Sequence, residues 1–254
     1  FDAAAEASNG HYISRPDLRA ALQPFEKIRK AVGDRMDVMV EFHSMWQLLP
    51  AITIAQALAP YDTFWHEDPI RMDSLASLKR YHEASPAPIC ASETLGSRAA
   101  FRDLLETGVA GVVMLDLSWC GGLSEARKIA AMAEAWHLPV APHDCTGPVV
   151  LAASTHLSLN APNALVQESV RAYYRTWYRA LVTALPPATI NWSRSQQSLR
   201  GKGLFRQASR MIIWIFDLER SCRKMSSTLM AWISMSAASL SDASTGIRKF
   251  SPPI

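Results

Sequence analysis

The chain of 254 residues is 49% hydrophobic and 19% charged, a globular composition that excludes wholesale disorder, collagen and a disulfide scaffold. Its formal net charge of +3 is too small to indicate a nucleic-acid-binding protein. The four cysteines form no Cys-x-x-Cys pair, and no stretch reaches the roughly 18 apolar residues of a membrane span. We therefore expect reduced thiols, a cytoplasmic location, and no nucleic-acid or membrane partner.

The composition changes abruptly near residue 190. From Asn191 onward, ten basic residues accompany three acidic ones, and 13 of the 64 residues are serine. This segment is either a basic appendage that binds polyanions or a stretch foreign to the fold, such as a shifted reading frame would produce. The second interpretation is favoured, because charge, composition and hydrophobic pattern change together and no recognition motif appears. We predict a folded unit over residues 1–187 and an atypical basic, Ser-rich tail over 188–254.

Short β-type runs alternate with amphipathic helical stretches in the first unit. The predicted strands cover residues 37–42, 63–67, 88–92, 111–116, 138–143 and 164–168. Between them, Leu75, Leu78 and Tyr81 show the apolar spacing of a helix face. This repeat predicts parallel β-structure with right-handed crossovers, as an open doubly wound sheet or a closed (β/α) barrel. The uniform repeat favours the barrel, and no Gly-rich motif indicates a nucleotide site.

Ionisable residues lie at the end of nearly every predicted strand. They are Glu41, His43, Glu67, Asp68, Glu93, Asp116, His143, Asp144 and Glu168. In a parallel barrel all strand carboxyl ends open on one face, where active sites are found. One such carboxylate is most often a loop or capping residue. A series in phase with successive strands is far more specific, and it predicts a single polar cavity.

Three of these residues, Glu41, Glu67 and Glu93, are spaced 26 residues apart on three successive strands. Three carboxylates placed together would repel one another unless a cation neutralised them. Oxygen ligands without a nearby Cys or His ligand set favour Mg²⁺ over Zn²⁺. The spacing therefore predicts a magnesium site.

Two histidines accompany this predicted metal site. Asp116 and His143 lie on the next two strands, and a carboxylate bonded to an imidazole orients it and raises its basicity. His43 lies two residues past Glu41 and, at the strand period of two, should point to the same side. His66 and His137 have no comparable support and are interpreted as structural.

Two sets of motifs resemble a known family. Val-Glu-Phe-His (40–43), Trp-His-Glu-Asp-Pro (65–69) and Ala-Ser-Glu (91–93) resemble the metal site of the enolase superfamily. Leu-Asp-Leu-Ser (115–118), Ala-Pro-His (141–143) and Val-Gln-Glu (166–168) resemble its mandelate racemase subgroup, and the acid-sugar dehydratases of the galactonate dehydratase type in particular. The resemblance implies that residues 1–187 form a partial TIM-type (β/α)7β barrel. We expect it to lack the first strand and the N-terminal capping domain.

The resemblance also implies a reaction. It makes the protein a Mg²⁺-dependent acid-sugar dehydratase, a hydro-lyase that forms a 2-keto-3-deoxy acid from a small sugar-acid substrate. Intact relatives of this type are expected to be homo-oligomers. The implied roles are metal ligation by Glu41, Glu67 and Glu93, proton abstraction by His143 held by Asp116, protonation of the departing hydroxyl by His43, and stabilisation of the intermediate by a protonated Glu168.

The sequence departs from the family at two positions and leaves other functions open. Family members usually carry Asp where this chain has Glu41, whose extra methylene moves the carboxylate by about 1.5 Å. Phe1 and Asp2 resemble the end of the family's second strand, where related enzymes carry Lys-x-Lys or a single Lys. Asp2 stands at the later of these positions, which argues against a Lys/His two-base racemase. The alternatives are a racemase or cycloisomerase on the same scaffold, or an inactive fragment whose tail binds polyanions.

Overall fold

The computed structural model describes residues 1–186 and the backbone of residues 213–215. The predicted tail, residues 188–254, lies outside the described residues except for that short segment. The helices are α1 (Asp2–Ser8), α2 (Arg15–Val32), α3 (Leu48–Leu58), α4 (Leu75–Ala84), α5 (Ser97–Glu106), α6 (Leu123–Ala135), α7 (Pro148–Asn160), α8 (Arg171–Arg175) and α9 (Tyr178–Leu181). The strands are β1 (Val38–Glu41), β2 (His66–Glu67), β3 (Ile89–Ala91), β4 (Ala110–Val113) and β5 (Ile213–Ile215).

The strands form one parallel sheet in the order β4-β3-β2-β1-β5. Strands β1 to β4 are therefore neighbours in the order in which they occur along the chain, and helices α3, α4 and α5 connect them. The predicted α/β architecture with parallel strands and alternating helices is confirmed. The first four predicted strands are correct in position, although each observed strand is shorter and β4 begins one residue before the predicted one.

The last two predicted strands are not regular strands. Residues 138–143 and 164–168 contribute only isolated bridges, between Val113 and Val140 and between Val140 and Ala164. Pro142 has no N–H to donate, which interrupts a regular ladder here. Main-chain hydrogen bonds nevertheless continue the parallel arrangement from β4 through both of these segments. They run from His143 N to Leu115 O, from Leu165 N to Val140 O and from Glu168 N to Pro142 O.

Both faces of the strands are buried, as is usual for parallel sheets. On one face, residues such as Val40 and Ile89 pack against the helices together with Ile54 of α3 and Leu104 of α5. On the other face lies a second group, the inner cluster. It consists of Met39, Trp65, Cys90, Val112, Met114 and Ala141. Alternate residues of β1 thus pack into two different apolar layers, so the strand needs apolar side chains on both faces.

Helix ends follow ordinary capping rules. The Ser14 hydroxyl accepts a hydrogen bond from the Asp17 N–H at the start of α2, and Ser74 does the same for Ser77 at the start of α4. Leu78 and Tyr81 of α4 are buried, as the spacing of apolar residues predicts.

The remaining global expectations concern cysteines and membranes. Cys90, Cys120 and Cys145 are free thiols, while Cys222 lies outside the described residues. In the part of the chain that the structure describes, none of the helices combines the length and apolar character that crossing a membrane requires.

Gly10 allows α1 to dock closely against the loop after β1. It has φ +73°, and an added Cβ would overlap the main-chain oxygen of Met45. We expect Gly10→Ala to lower the free energy of unfolding by about 2–4 kcal/mol, measured by urea denaturation. Gly108 is a matched control, since it has φ +72° but open space around its Cβ position. Gly108→Ala should cost only about 1 kcal/mol. Equal losses in the two variants would show that the close approach to Met45 is unimportant.

Candidate active site

Three carboxylates converge at the carboxyl ends of β1, β2 and β3. Glu41 and Glu67 are the last residues of β1 and β2, and Glu93 follows β3 by two residues. One carboxylate oxygen from each lies within 4.8 Å of the others. Glu41 and Glu67 each lie two residues beyond a member of the inner cluster, and they are register partners between the strands. Strand period and register together bring these side chains to the same point.

The environment of this carboxylate triad opposes negative charge. Burial raises the pKa of Glu41, and burial together with the charge of Glu41 holds the pKa of Glu67 well above its ordinary value. Trp65 Nε1 donates to Glu67 Oε2 at 3.3 Å, whereas Glu67 Oε1 is buried with no hydrogen-bond partner among the described residues. The main-chain N–H of His43 donates to Glu41 Oε1, which anchors the longer Glu side chain at the strand end.

A divalent cation suits this set of donors. The triad offers three carboxylate oxygens from adjacent strands, and Glu67 Oε1 lacks any donor that would compete for it. Hard oxygen ligands of this kind bind Mg²⁺ or Ca²⁺ rather than metals that prefer sulfur. A positive charge here would also offset the repulsion between Glu41 and Glu67, which adds to the effect of burial on the pKa of Glu67.

An Asp–His pair lies beside the triad. His143 Nδ1 is 2.8 Å from Asp116 Oδ2, to which the Thr146 hydroxyl also donates at 2.8 Å. Burial opposes ionisation of Asp116, but hydrogen bonds from His143, Ser118 and Thr146 outweigh it and lower its pKa to about 2. Burial also disfavours charge on His143, yet its hydrogen bond to Asp116 and further polar contacts raise its pKa above the ordinary value. Asp116 is therefore a fixed negative charge that orients the ring.

His143 connects this pair to the triad and to Glu168. Its Nε2 atom lies 2.9 Å from Glu93 Oε2 and 3.6 Å from Glu168 Oε2. Glu168 also accepts a hydrogen bond from the Asp144 N–H at 2.8 Å. Burial raises the pKa of Glu168 to about 8, so its carboxyl group is largely protonated at neutral pH.

His43 lies at the opposite end of the triad, beside Glu41. Its Nδ1 atom is 3.2 Å from Asp2 Oδ2, and its backbone has φ +55°, so His43 lies beyond the regular strand. Burial lowers the pKa of His43, but the hydrogen bond to Asp2 and the charge of Glu41 reverse this effect and raise the pKa to about 9. All seven predicted site residues thus lie in one connected region.

His66 has its partners outside this site, and the contact of Tyr178 with Asp144 was not anticipated from the sequence. His66 is fully buried, 2.7 Å from the Tyr81 hydroxyl, and burial lowers its pKa to about 4. Asp144, which follows His143, is buried and accepts a hydrogen bond from the Tyr178 hydroxyl at 3.1 Å. No sequence pattern links Tyr178 to this site, because it follows the last predicted strand by ten residues.

The family follows from a comparison with known proteins. The sequence model of the family described as enolase C-terminal domain-like matches residues 7–190. The chain belongs to the enolase superfamily. A solved enolase of the mandelate racemase subgroup from Agrobacterium tumefaciens is 81% identical, with a TM-score of 0.70 over 74% of this chain and 51% of that one. The described α/β unit therefore matches part of the superfamily's C-terminal TIM-barrel domain.

Curated relatives of this enolase-superfamily chain include sugar-acid dehydratases. A D-gluconate dehydratase from Thermoproteus tenax is 31% identical over 170 residues, which cover 67% of this chain and 34% of the relative. A D-galactonate dehydratase from Ralstonia nicotianae is 36% identical over 149 residues, which cover 59% of this chain and 39% of the relative. The chain is homologous to these hydro-lyases, but it spans well under half of their length.

Cation binding by the triad should appear in the stability of the protein. Mg²⁺ added at about 100 times its dissociation constant should raise the free energy of unfolding by about 2.7 kcal/mol. Glu67→Gln should abolish this gain. It should also stabilise the metal-free protein, because it removes one of the repelling charges. Thermal and urea unfolding would measure both effects. Glu83→Gln, an exposed change on α4, is the control and should keep the gain. An equal Mg²⁺ effect in both variants would place the cation elsewhere.

Asp144 should give a distinct pH dependence of stability. Burial raises its pKa from 3.8 to about 6, so the folded state prefers the neutral carboxyl group. The stability that this preference supplies is present at low pH and is lost as the pH rises from 3.8 through 6. The free energy of unfolding of Asp144→Asn, relative to the wild type, should therefore rise by about 1–3 kcal/mol as the pH increases from about 4 to about 8. Urea unfolding at a series of pH values measures this difference. Asp103→Asn, at an exposed position of α5, should show no such gain.

Proposed function

We propose that this chain carries the acid–base residues of a Mg²⁺-dependent acid-sugar dehydratase, which converts a sugar acid to a 2-keto-3-deoxy acid. One observation carries the proposal. The carboxylate triad has a histidine at each end, and each histidine has a carboxylate at its Nδ1 atom. Dehydration requires one proton to be taken and another to be given, and this arrangement supplies a group for each step. The names of the curated relatives support a sugar acid as the substrate.

Glu41, Glu67 and Glu93 would hold the Mg²⁺ ion. When bound, the ion would offset the negative charge that develops on the substrate carboxylate as the α-proton leaves. Placing this charge in a buried site strengthens the effect, because water screens it less than on the surface.

His143 is the proposed base. Asp116 holds its Nδ1 atom at 2.8 Å, so Nε2 is the atom of the neutral ring that would receive the proton from the α-carbon. Nε2 lies 2.9 Å from Glu93 Oε2, which puts the base next to the metal site that would bind the substrate carboxylate. Asp116 stabilises the positive charge that the ring gains in this step.

Glu168 and His43 complete the proposed reaction. The protonated carboxyl group of Glu168, with its pKa near 8, would donate a hydrogen bond to the substrate carboxylate and stabilise the enediolate. His43 would give a proton to the β-hydroxyl as its C–O bond breaks, so that water leaves. The resulting enol then tautomerises to the 2-keto-3-deoxy acid.

Two other functions remain as alternatives to the proposed dehydration. A racemase or cycloisomerase would use the same α-proton abstraction without loss of water. A non-catalytic protein would use its basic tail to bind polyanions. We retain the division into a barrel unit, 1–187, and a tail, 188–254, as part of the proposal, with all proposed chemistry in the first unit.

The reaction can be tested in D₂O with Mg²⁺ and a panel of aldonic and aldaric acids. We expect a 2-keto acid product from the chain. His143→Asn should lower both product formation and deuterium exchange at the α-carbon by about 10²–10⁴-fold. His43→Asn should lower product formation by a similar factor while exchange continues, because His143 remains. The measurements are proton NMR and a colorimetric assay for 2-keto acids.

His137→Asn is the matched control, since His137 is exposed and its φ of +58° is one that Asn tolerates. Exchange without any 2-keto product in the unsubstituted protein would favour the racemase or cycloisomerase. Neither exchange nor product with any acid in the panel would contradict a catalytic function for this chain.

A further inference from the structure

The first turn of α1 places a carboxylate against the proposed acid, His43. Asp2 Oδ2 lies 3.2 Å from His43 Nδ1, and only 18% of the Asp2 side chain and 31% of the His43 side chain are exposed. The resemblance implies a strand end at Asp2, but in the structure Asp2 is the first residue of α1. Its contact with His43 depends on where α1 docks.

The position of α1 is set by packing at both of its ends. The Phe1 ring stacks on Phe42 with 6.0 Å between centroids, and it lies 5.8 Å from the Phe25 ring. Just beyond the other end, the carbonyl oxygen of Gly10 accepts a hydrogen bond from the Gln47 N–H at 3.0 Å. A surface ion pair contributes little when its side chains are free to move. Asp2 instead extends from a helix that is anchored on both sides of it.

The backbone of His43 is also held in place. Its main-chain N–H donates to Glu41 Oε1, and its left-handed conformation, with φ +55°, ends the extended path of β1. His43 is therefore held at two points, with its main chain bound to Glu41 of the triad and its ring facing Asp2. Because Asp2 faces Nδ1, Nε2 is the ring nitrogen that the proposed proton donation would use.

The contact resembles the one on the other side of the triad. There, Asp116 lies 2.8 Å from Nδ1 of His143, which leaves Nε2 as the reacting atom. A carboxylate at Nδ1 fixes both the tautomer and the orientation of a histidine. The two pairs differ in origin, since Asp116 follows β4 whereas Asp2 comes from a helix that precedes β1.

We propose that Asp2 is a positioning residue, whose carboxylate holds the Nδ1–H of His43 and directs Nε2 toward the departing hydroxyl of the substrate. The purpose of this orientation rests on the proposed function. The orientation itself does not, so the two can be tested separately. The contact with Asp2 also gives a histidine beyond the end of a strand a defined direction.

The first experiment measures ring orientation without any substrate. The full chain is labelled with ¹⁵N-histidine, and the His43 signal is assigned from its loss in His43→Asn. At a pH where the ring is neutral, we expect the Nδ1–H tautomer in the unsubstituted protein. Asp2→Ala should shift His43 toward the Nε2–H tautomer, and Asp2→Asn should give an intermediate shift. Glu26→Gln, an exposed change on α2, is the control and should leave the spectrum unchanged.

The second experiment measures the balance between α-exchange and loss of water with the sugar-acid panel. Asp2→Asn should lower 2-keto acid formation by about 10–100-fold, the usual effect of removing a residue that orients a functional side chain. Deuterium exchange should persist, because Asp116 and His143 are unchanged. Asp2→Glu should restore part of the lost product formation. A general loss of structure would instead lower exchange and product formation together.

The outcomes separate the two proposals. An unchanged His43 tautomer in Asp2→Ala, with the variant shown to be folded by thermal unfolding, would overturn the positioning role. If Asp2→Ala fails to fold, an unchanged His43 tautomer in folded Asp2→Asn would overturn the positioning role instead. A tautomer shift in a protein that neither exchanges nor dehydrates any acid would support the positioning role while contradicting the proposed function.

Discussion

Repulsion between three carboxylates in one small, buried space is the constraint on which the rest of the site depends. Two unit charges about 4 Å apart interact by about 1 kcal/mol in water and about 4 kcal/mol near a protein surface. Burial together with this repulsion raises the pKa of Glu67, and its Oε1 atom, which has no hydrogen-bond partner among the described residues, leaves a position that a cation can satisfy. Donors at both ends of the triad reduce the cost further. The His43 N–H contacts Glu41, and His143 contacts Glu93.

Two carboxyl groups of the same region differ in protonation state at neutral pH. Asp116 and Glu168 both lie near His143, yet the pKa of Asp116 is about 2 and that of Glu168 is about 8. Asp116 accepts hydrogen bonds from a histidine and two hydroxyl groups, which stabilise its charge. Burial dominates at Glu168, where the prominent donor is one main-chain N–H. Opposite shifts in neighbouring groups are a physical basis for assigning different roles to chemically similar residues.

Several features could be predicted because they depend on short repeats. The strands ending at Glu41 and Glu67 were predicted from apolar runs, and their carboxylates converge because parallel register aligns strand ends. The same reasoning predicted regular strands over 138–143 and 164–168, where the structure has only bridges. In the first of these stretches Pro139 and Pro142 remove ladder donors, and a pattern of apolar residues does not reveal that loss. The Asp2–His43 contact could not be predicted, because it depends on how α1 packs against Phe42 and the following loop.

The sequence by itself determined the residue types, their phase with the strands and the superfamily, since these depend on local order and on motifs. Only the tertiary structure decided which atoms meet, such as Tyr178 with Asp144 across 34 residues, and which carboxyl groups hold a proton. The reason is physical. Charge interactions and desolvation depend on distance and burial, and both arise from packing between segments whose separation along the chain follows no period.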